Sequence, residues 1–213
     1  MLHELLQHWI VTWFGWVEHG GYPGIIALMA MESSIFPVPS EVVIPPAAYF
    51  AAQGKMNFWG VIAAGTFGSW LGAAITYWVA RWVGRAIILK WGRLFFVSPE
   101  KLERSELWLK RYEAGGIFFA RLLPVIRHLI SIPAGIIRMP FGVFSAMTII
   151  GSAIWCYVLA WFGQKVITPE MLGDPATMVH ALKAQSHWII GAVLVLCVLY
   201  FTVMRLTAKR GEA

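Results

Sequence analysis

Charged residues are scarce in this chain. Of its 213 residues, only 13% are Asp, Glu, Lys or Arg and 59% are hydrophobic, whereas a soluble domain carries about 25% charged residues. Three stretches lack charge altogether, at residues 56–80, 139–164 and 184–204. Each is long enough for the ~20 residues that cross a bilayer as a helix. The composition therefore predicts an all-α polytopic membrane protein and excludes an ordinary soluble enzyme.

Cysteine and the common catalytic motifs are also sparse. Cys156 and Cys197 both lie in apolar stretches, a placement that argues against a disulfide framework and a thiolate metal site. The N-terminus has neither the basic segment nor the small-residue cleavage site of a signal peptide, so we expect it in the mature protein. No Gly-rich nucleotide loop, metal-ligand spacing or Ser/His/Asp set is apparent. The sequence predicts no metal, no cofactor and no catalytic residue.

The net charge of +6 is concentrated in two places and indicates membrane topology rather than nucleic-acid binding. Eight basic residues lie between positions 81 and 113, and Arg205, Lys209 and Arg210 lie near the C-terminus. The positive-inside rule places both regions in the cytoplasm. This holds only if the apolar segment 114–138 returns to the side that it entered. The same reasoning makes 20–54 re-entrant and places the N-terminus outside.

Two parts of the chain match element by element. Each has an amphipathic surface helix, an apolar segment broken by proline, and a clean transmembrane helix. The predicted first repeat is 1–84 with an outer-face re-entrant hairpin at 22–50, and the second is 98–165 with an inner-face hairpin at 115–138. A C-terminal transmembrane helix at 184–206 completes one membrane domain, 1–213. Inverted repeats with interrupted helices are typical of secondary transporters.

The first predicted hairpin carries acids and the second carries arginines. Glu32 and Glu41 face Arg121 and Arg127 in this arrangement, and ionisable groups at membrane depth are costly unless paired or hydrated. The planar fork of arginine suits two phosphate oxygens, so we predict that the arginines bind phosphate. A carboxylate in a partly dry cavity takes up a proton readily, so the glutamates could couple transport to protons. Alternatively, they only neutralise the arginines.

Several other residues have a possible place in this site. His128 could add a phosphate donor, and Ser33, Ser34, Ser40 and Ser131 could line the cavity, although capping of broken helices is the commoner role of serine. Small residues every fourth position at 60–72 predict close helix packing, and the twelve tryptophans fit interfacial belts. The predicted breaks of the two hairpins are Pro37, Pro39, Pro45, Pro124 and Pro133.

Two motifs resemble those of the DedA family, also called the VTT or SNARE-associated domain family. They are FPVPSE at 36–41, with Glu32 before it and Pro45 after it, and FARLLPVIR at 119–127, followed by PAG at 133–135 and Met139. The resemblance implies facing re-entrant hairpins, an acidic pair at Glu32 and Glu41 and an arginine pair at Arg121 and Arg127. It also implies lipid flipping in a bacterial cytoplasmic membrane, linked to the proton motive force.

The function that we predict is transport of a lipid with a phosphate head group, with the bilayer and protons as partners. Many family members have Pro-Gly-Asp or Pro-Gly-Glu where this chain has Pro39-Ser40-Glu41. This variant resembles the branch tied to undecaprenyl phosphate. The alternatives are phosphatidylethanolamine or another phospholipid as substrate, a membrane lipid phosphatase, and a scaffold or ion exchanger. The sequence leaves a homo-oligomer open.

Overall fold

A computed structural model describes residues 2–34, 39–91, 115–123, 127 and 129–166, together with the single positions 103 and 107. All regular structure in these residues is helical, as predicted. The helices are α1 (Leu2–Glu32), α2 (Ser40–Ala52), α3 (Phe58–Trp91), α4 (115–122), α5 (Ser131–Ile136) and α6 (Phe141–Val166). The predicted surface helix at 99–113 and the C-terminal helix at 184–206 lie outside the described residues.

Two of the described helices are long and apolar enough to cross a membrane. They are Phe58–Val83, with 26 residues, and Phe141–Lys165, with 25 residues. At 1.5 Å per residue, each of these helices is about 38 Å long, which exceeds the ~30 Å of a bilayer core. They coincide with the uncharged stretches at 56–80 and 139–164, so the sequence located both of them.

A glycine divides α1 into two segments. Gly21 has φ 53° and ψ −137°, a left-handed conformation that costs glycine little and other residues more. Pro23 follows in the first turn of the second segment, where its missing N–H costs no helical hydrogen bond. The predicted change from surface helix to hairpin near residue 20 falls at this kink.

The small residues of α3 bring the second segment of α1 unusually close. A methyl group added at Gly72 would lie 2.1 Å from the Ala30 carbonyl oxygen, and one at Gly68 would lie 2.5 Å from that of Ile26. Because both contact positions rise together along the chain, the second segment of α1 runs parallel to α3. The predicted packing role of this small-residue ridge is confirmed at these glycines.

The two long helices run antiparallel to each other. Tyr77 of α3 stacks on Phe144 of α6, with ring centroids 4.8 Å apart. Twelve residues earlier in α3, a Cβ at Gly65 would lie 3.0 Å from the Cys156 sulfur, twelve residues later in α6. α2 packs beside the C-terminal end of α6, where Pro45 lies against Gly163.

Buried apolar residues form two clusters. The first cluster contains buried residues of 17–29, 42–50, 61–64 and 155–160, with Leu122. The second cluster consists of Ala73, Tyr77, Ile117, Ala120, Ile130, Ala134, Met139 and Phe144. Because α3 and α6 run antiparallel, the first cluster covers the start of α3 and the end of α6, and the second covers their opposite ends. Polar side chains of the candidate site lie between the two.

Two of the predicted helix breaks, Pro45 and Pro133, fall inside helices. Pro39 is the N-cap of α2, with φ −75° and ψ 126°, but α2 continues through Pro45 to Ala52. Pro133 is the third residue of α5, where its N–H would have no helical partner in any event. Neither Pro45 nor Pro133 therefore ends its helix. Pro37 and Pro124 lie outside the described residues.

Candidate functional site

Glu32 and Arg127 form a buried ion pair that joins the two parts of the chain. Glu32 is the last residue of α1, and Arg127 lies between α4 and α5. The Arg127 Nη2 donates to the Glu32 Oε2 at 3.0 Å, and the side chains are only 3% and 1% exposed. Breaking such a buried pair by removing one partner typically costs about 3–5 kcal/mol.

Arg121 lies on α4 and supports the position of Arg127. Its Nη1 donates to the Arg127 backbone carbonyl at 3.1 Å, and its Nη2 donates to the Ser131 hydroxyl at 2.8 Å. The side chain packs against Gly151 of α6, where an added Cβ would lie 2.7 Å from the Arg121 Cβ. The Arg121 side chain therefore reaches the backbone of Arg127 although the two residues are six apart, because the chain leaves α4 between them.

Ser40 connects Arg127 to Glu41. The Ser40 hydroxyl accepts hydrogen bonds from the Arg127 Nη1 at 3.3 Å and from the Trp155 Nε1 at 3.2 Å. It lies 3.5 Å from the Glu41 Oε2, to which it donates. Glu41 is half-buried and, among the described contacts, forms no ion pair with an arginine. The structure thus brings only one of the two glutamates directly to the arginines.

Three of the four serines expected here bind ionic groups, whereas Ser34 donates to the Met31 carbonyl in the last turn of α1 at 2.8 Å. Neither α2 nor α5 has a side-chain cap at its N-terminus, so the capping role expected for Ser40 and Ser131 is wrong. Ser33 likewise donates to the Glu32 carboxylate, at 3.2 Å. A guanidinium has five N–H donors, and when it is buried these donors need the hydroxyl oxygens that backbone N–H groups would otherwise use.

Trp155 is a residue of this site that sequence reasoning missed. It is 2% exposed, and its ring lies under the Arg127 guanidinium, with 5.4 Å from Cζ to the ring centroid. Interfacial tryptophans belong near the ends of a span, whereas Trp155 is the fifteenth residue of the 26 in α6. That central position was the available signal, and the overall abundance of tryptophan concealed it.

The site has spare hydrogen-bond donors and an excess of positive charge. Among the described residues, the Nε atoms of Arg121 and Arg127 are buried without a hydrogen-bond partner. Of the ionic side chains in the part of the chain that the structure describes, those fully buried are these two arginines and Glu32. A buried unsatisfied donor costs about 1–3 kcal/mol, and more when it is charged. The arrangement is thus suited to accept an anion with several oxygens. His128 lies outside the described residues.

Span-length helices around a buried, ion-paired centre define a helical membrane protein with a polar site between its two parts. The model of the VTT domain matches residues 38–165 of the chain. The chain belongs to the VTT domain family, as the DedA resemblance indicated. The match includes Ser40, Glu41, both arginines and Trp155, and it begins after Glu32.

The relatives include named transporters. Undecaprenyl phosphate transporter A of Bacillus subtilis is 36% identical over 70% of this chain and 73% of its own length. The Staphylococcus aureus protein of the same name is 27% identical over 94% of this chain and 97% of its own. An alkaline phosphatase-like protein of Lactococcus lactis is 31% identical over 89% and 90%. No solved structure matches the chain significantly.

Proposed function

We propose that this protein transports a lipid with a phosphate head group, most specifically undecaprenyl phosphate, across the bacterial cytoplasmic membrane. The observation that carries the proposal is the buried arginine pair, with its excess positive charge and two spare N–H donors. Two relatives that are named undecaprenyl phosphate transporters support it. The apolar chain of such a lipid can stay in the bilayer, so only the head group needs a polar path.

In this proposal the phosphate binds to the guanidinium groups of Arg121 and Arg127. Their free Nε–H groups receive the first phosphate oxygens. A second phosphate oxygen then approaches Nη2 of Arg127, which donates one of its two N–H groups to the Glu32 carboxylate in the present structure. A bidentate contact of this kind is stronger and more directional than a single charge–charge contact. In this proposal the phosphate and the Glu32 carboxylate are therefore alternative counter-charges for the same guanidinium group.

This competition supplies a means of proton coupling. Once phosphate displaces it, the Glu32 carboxylate remains buried without its arginine partner. The loss of the positive counter-charge disfavours the ionised form of a buried carboxyl group, so in this proposal Glu32 takes up a proton. Release of the phosphate restores the ion pair and releases the proton. Glu41, which is half-buried and bonded to Ser40, is the proposed route by which the proton reaches the site.

The packing register supports the proposed re-entrant hairpin at 22–50, and the hairpin at 115–138 is proposed with it as its inverted counterpart. Gly72, which contacts Ala30, is about 21 Å along α3 from Phe58, near the middle of the candidate span. Glu32 follows Ala30 by two residues, so the first hairpin turns near mid-membrane. α2 then runs back toward the membrane face at which the hairpin began. In this topology the repeats 1–84 and 98–165 are inverted, and the C-terminal helix 184–206 ends in the cytoplasm.

The transport proposal is tested with purified protein in liposomes. We expect movement of labelled undecaprenyl phosphate across the bilayer, and Arg127→Lys should slow it by about tenfold or more, because lysine retains the charge but loses the fork. Arg138→Lys is the matched control. Because Arg138 is exposed, this variant should transport the lipid at the wild-type rate. Preferential movement of labelled phosphatidylethanolamine would change the substrate. Release of inorganic phosphate would favour a lipid phosphatase instead.

The coupling proposal is tested with Glu32→Gln. Glutamine retains an oxygen for the Arg127 N–H but cannot exchange a proton, so transport should no longer respond to an imposed pH gradient. Wild-type protein in the same liposomes provides the comparison. An unchanged response in Glu32→Gln would show that Glu32 only neutralises Arg127, which was the alternative from the sequence.

A further inference from the structure

Trp155 links α6 to both predicted hairpins through a single side chain. Its indole N–H donates to Ser40 of α2, and its ring lies under the guanidinium of Arg127, between α4 and α5. The ring is nearly fully buried. A tryptophan that only filled space would need neither contact, so both the N–H and the ring face are used specifically.

The Ser40 hydroxyl has all of its hydrogen-bonding capacity occupied. A hydroxyl offers one donor and two acceptor positions. Ser40 accepts from Trp155 and from Arg127, and it donates to Glu41. The direction of each bond is therefore fixed by the other two. Removing the indole N–H would free one acceptor position and allow the hydroxyl to turn away from Arg127.

The ring face determines the plane of the Arg127 guanidinium. A cation is attracted to the face of an indole within about 6 Å of its centre, and here the distance is 5.4 Å. Ser40 and Glu32 hold the two Nη atoms from the edges of the same group. With the face and these two edges fixed, the remaining Nε–H has a single direction in which it can receive an anion.

We infer that Trp155 is a positioning residue of the phosphate site, one that orients Arg127 through its ring face and Ser40 through its indole N–H. This inference rests on the proposed role of Arg127 in binding the lipid phosphate. A planar fork binds two phosphate oxygens only if its plane is correctly aligned. Trp155 acts on how well the phosphate is held, and it contacts the phosphate only through Arg127 and Ser40.

The ring contribution is tested by placing fluorinated tryptophans at position 155 of the full-length protein. Fluorine withdraws electron density from the ring face with little change of shape. The apparent KM for labelled undecaprenyl phosphate should rise with each added fluorine, by about threefold to tenfold in total. The control is the same series at Trp70, which is half-buried on α3 and has no cation over its ring in the described part of the chain.

Two results would overturn the contribution of the ring. One is a constant KM across the Trp155 series, and the other is an equal rise in the Trp70 series. If wild-type protein does not move undecaprenyl phosphate at all, the proposed function itself fails. If wild-type protein transports and Arg127→Lys is impaired while the Trp155 series stays flat, only the present inference fails.

The N–H contribution is tested by a double-mutant cycle. Trp155→Phe keeps an aromatic face but removes the indole N–H, and Ser40→Ala removes its acceptor. If the N–H acts through Ser40, the change in KM of the double variant should be less than the product of the two single changes, because each substitution removes the same Trp155–Ser40 hydrogen bond, which can be lost only once. Effects that multiply in the double variant would show that Trp155 and Ser40 act independently. Folding of all three variants is checked by their elution as monodisperse proteins.

Discussion

Replacing Gly72 by alanine should displace Glu32 indirectly, by moving the second segment of α1. The added Cβ would lie 2.1 Å from the Ala30 carbonyl oxygen, whereas ordinary contact begins near 3.4 Å. The second segment of α1 must therefore move away from α3 by more than 1 Å, since both contacting groups belong to rigid helical backbone. Overpacking of this kind costs about 3 kcal/mol at the upper end of its range, and the better helix propensity of alanine returns about 1 kcal/mol.

The expected net loss is thus about 2 kcal/mol of folding free energy, which lowers the Tm by roughly 4–8 °C for a chain of this length. Glu32 lies two residues after Ala30, so the same displacement would stretch its 3.0 Å contact with Arg127. Transport should consequently fall together with stability. The Tm is measured by thermal unfolding in detergent, and transport is measured in liposomes.

The matched control is Gly142→Ala on α6. A Cβ at Gly142 meets nothing within 4 Å, and alanine is the better helix former, so this variant should be as stable as wild type or up to about 1 kcal/mol more stable. A Gly72→Ala protein with wild-type Tm and transport would refute the close approach of α1 and α3. Equal losses in both variants would show that alanine is harmful in these helices for another reason.

The remaining predictions concern buried hydroxyls and topology. Ser131→Ala removes the 2.8 Å acceptor of the Arg121 Nη2 and should cost about 1–3 kcal/mol of stability. Ser69→Ala should cost nothing or raise the Tm by a few degrees, because this equally buried hydroxyl has no partner among the described residues; a large drop would reveal a bound water. A cysteine at position 3, in a protein whose two native cysteines are replaced, should react with an impermeant reagent from outside the cell. Labelling only after cell lysis would contradict the inverted arrangement of the first repeat.

Sequence periodicity and charge were sufficient to locate the long helices and the ionic residues. Uncharged stretches of membrane length are set by a single requirement, the avoidance of charge in lipid, so α3 and α6 could be read directly. Small residues at every fourth position of α3 indicated close helix packing more strongly than a role in the substrate path. The pairing of an acid with an arginine, seen at Glu32 and Arg127, also followed from their isolation in apolar segments, because each charge needs a partner or water.

The partners of each side chain could not be predicted, because they depend on rotation about short helices. Ser40 and Glu41 are neighbours in sequence, but successive helical residues point about 100° apart, so only Ser40 directly contacts Arg127 and Trp155. The roles of Ser131 and Trp155 depended likewise on which face of α5 and α6 meets the arginines. A tertiary demand, the donors of a buried guanidinium, overrode the local preference of serine for caps.

The two hydrophobic clusters have a consequence for the proton gradient across the membrane. They lie on either side of the Glu32–Arg127 pair along α3 and α6, and Glu32 itself is 1% exposed. If water reached a titratable group from both faces at once, protons could cross the membrane through that group and dissipate the gradient. In the proposed proton-coupled transport, the two clusters would keep water on either face away from Glu32, and only one cluster would open at a time. Packing at the ends of the bundle would then limit the leakage of protons through the resting protein.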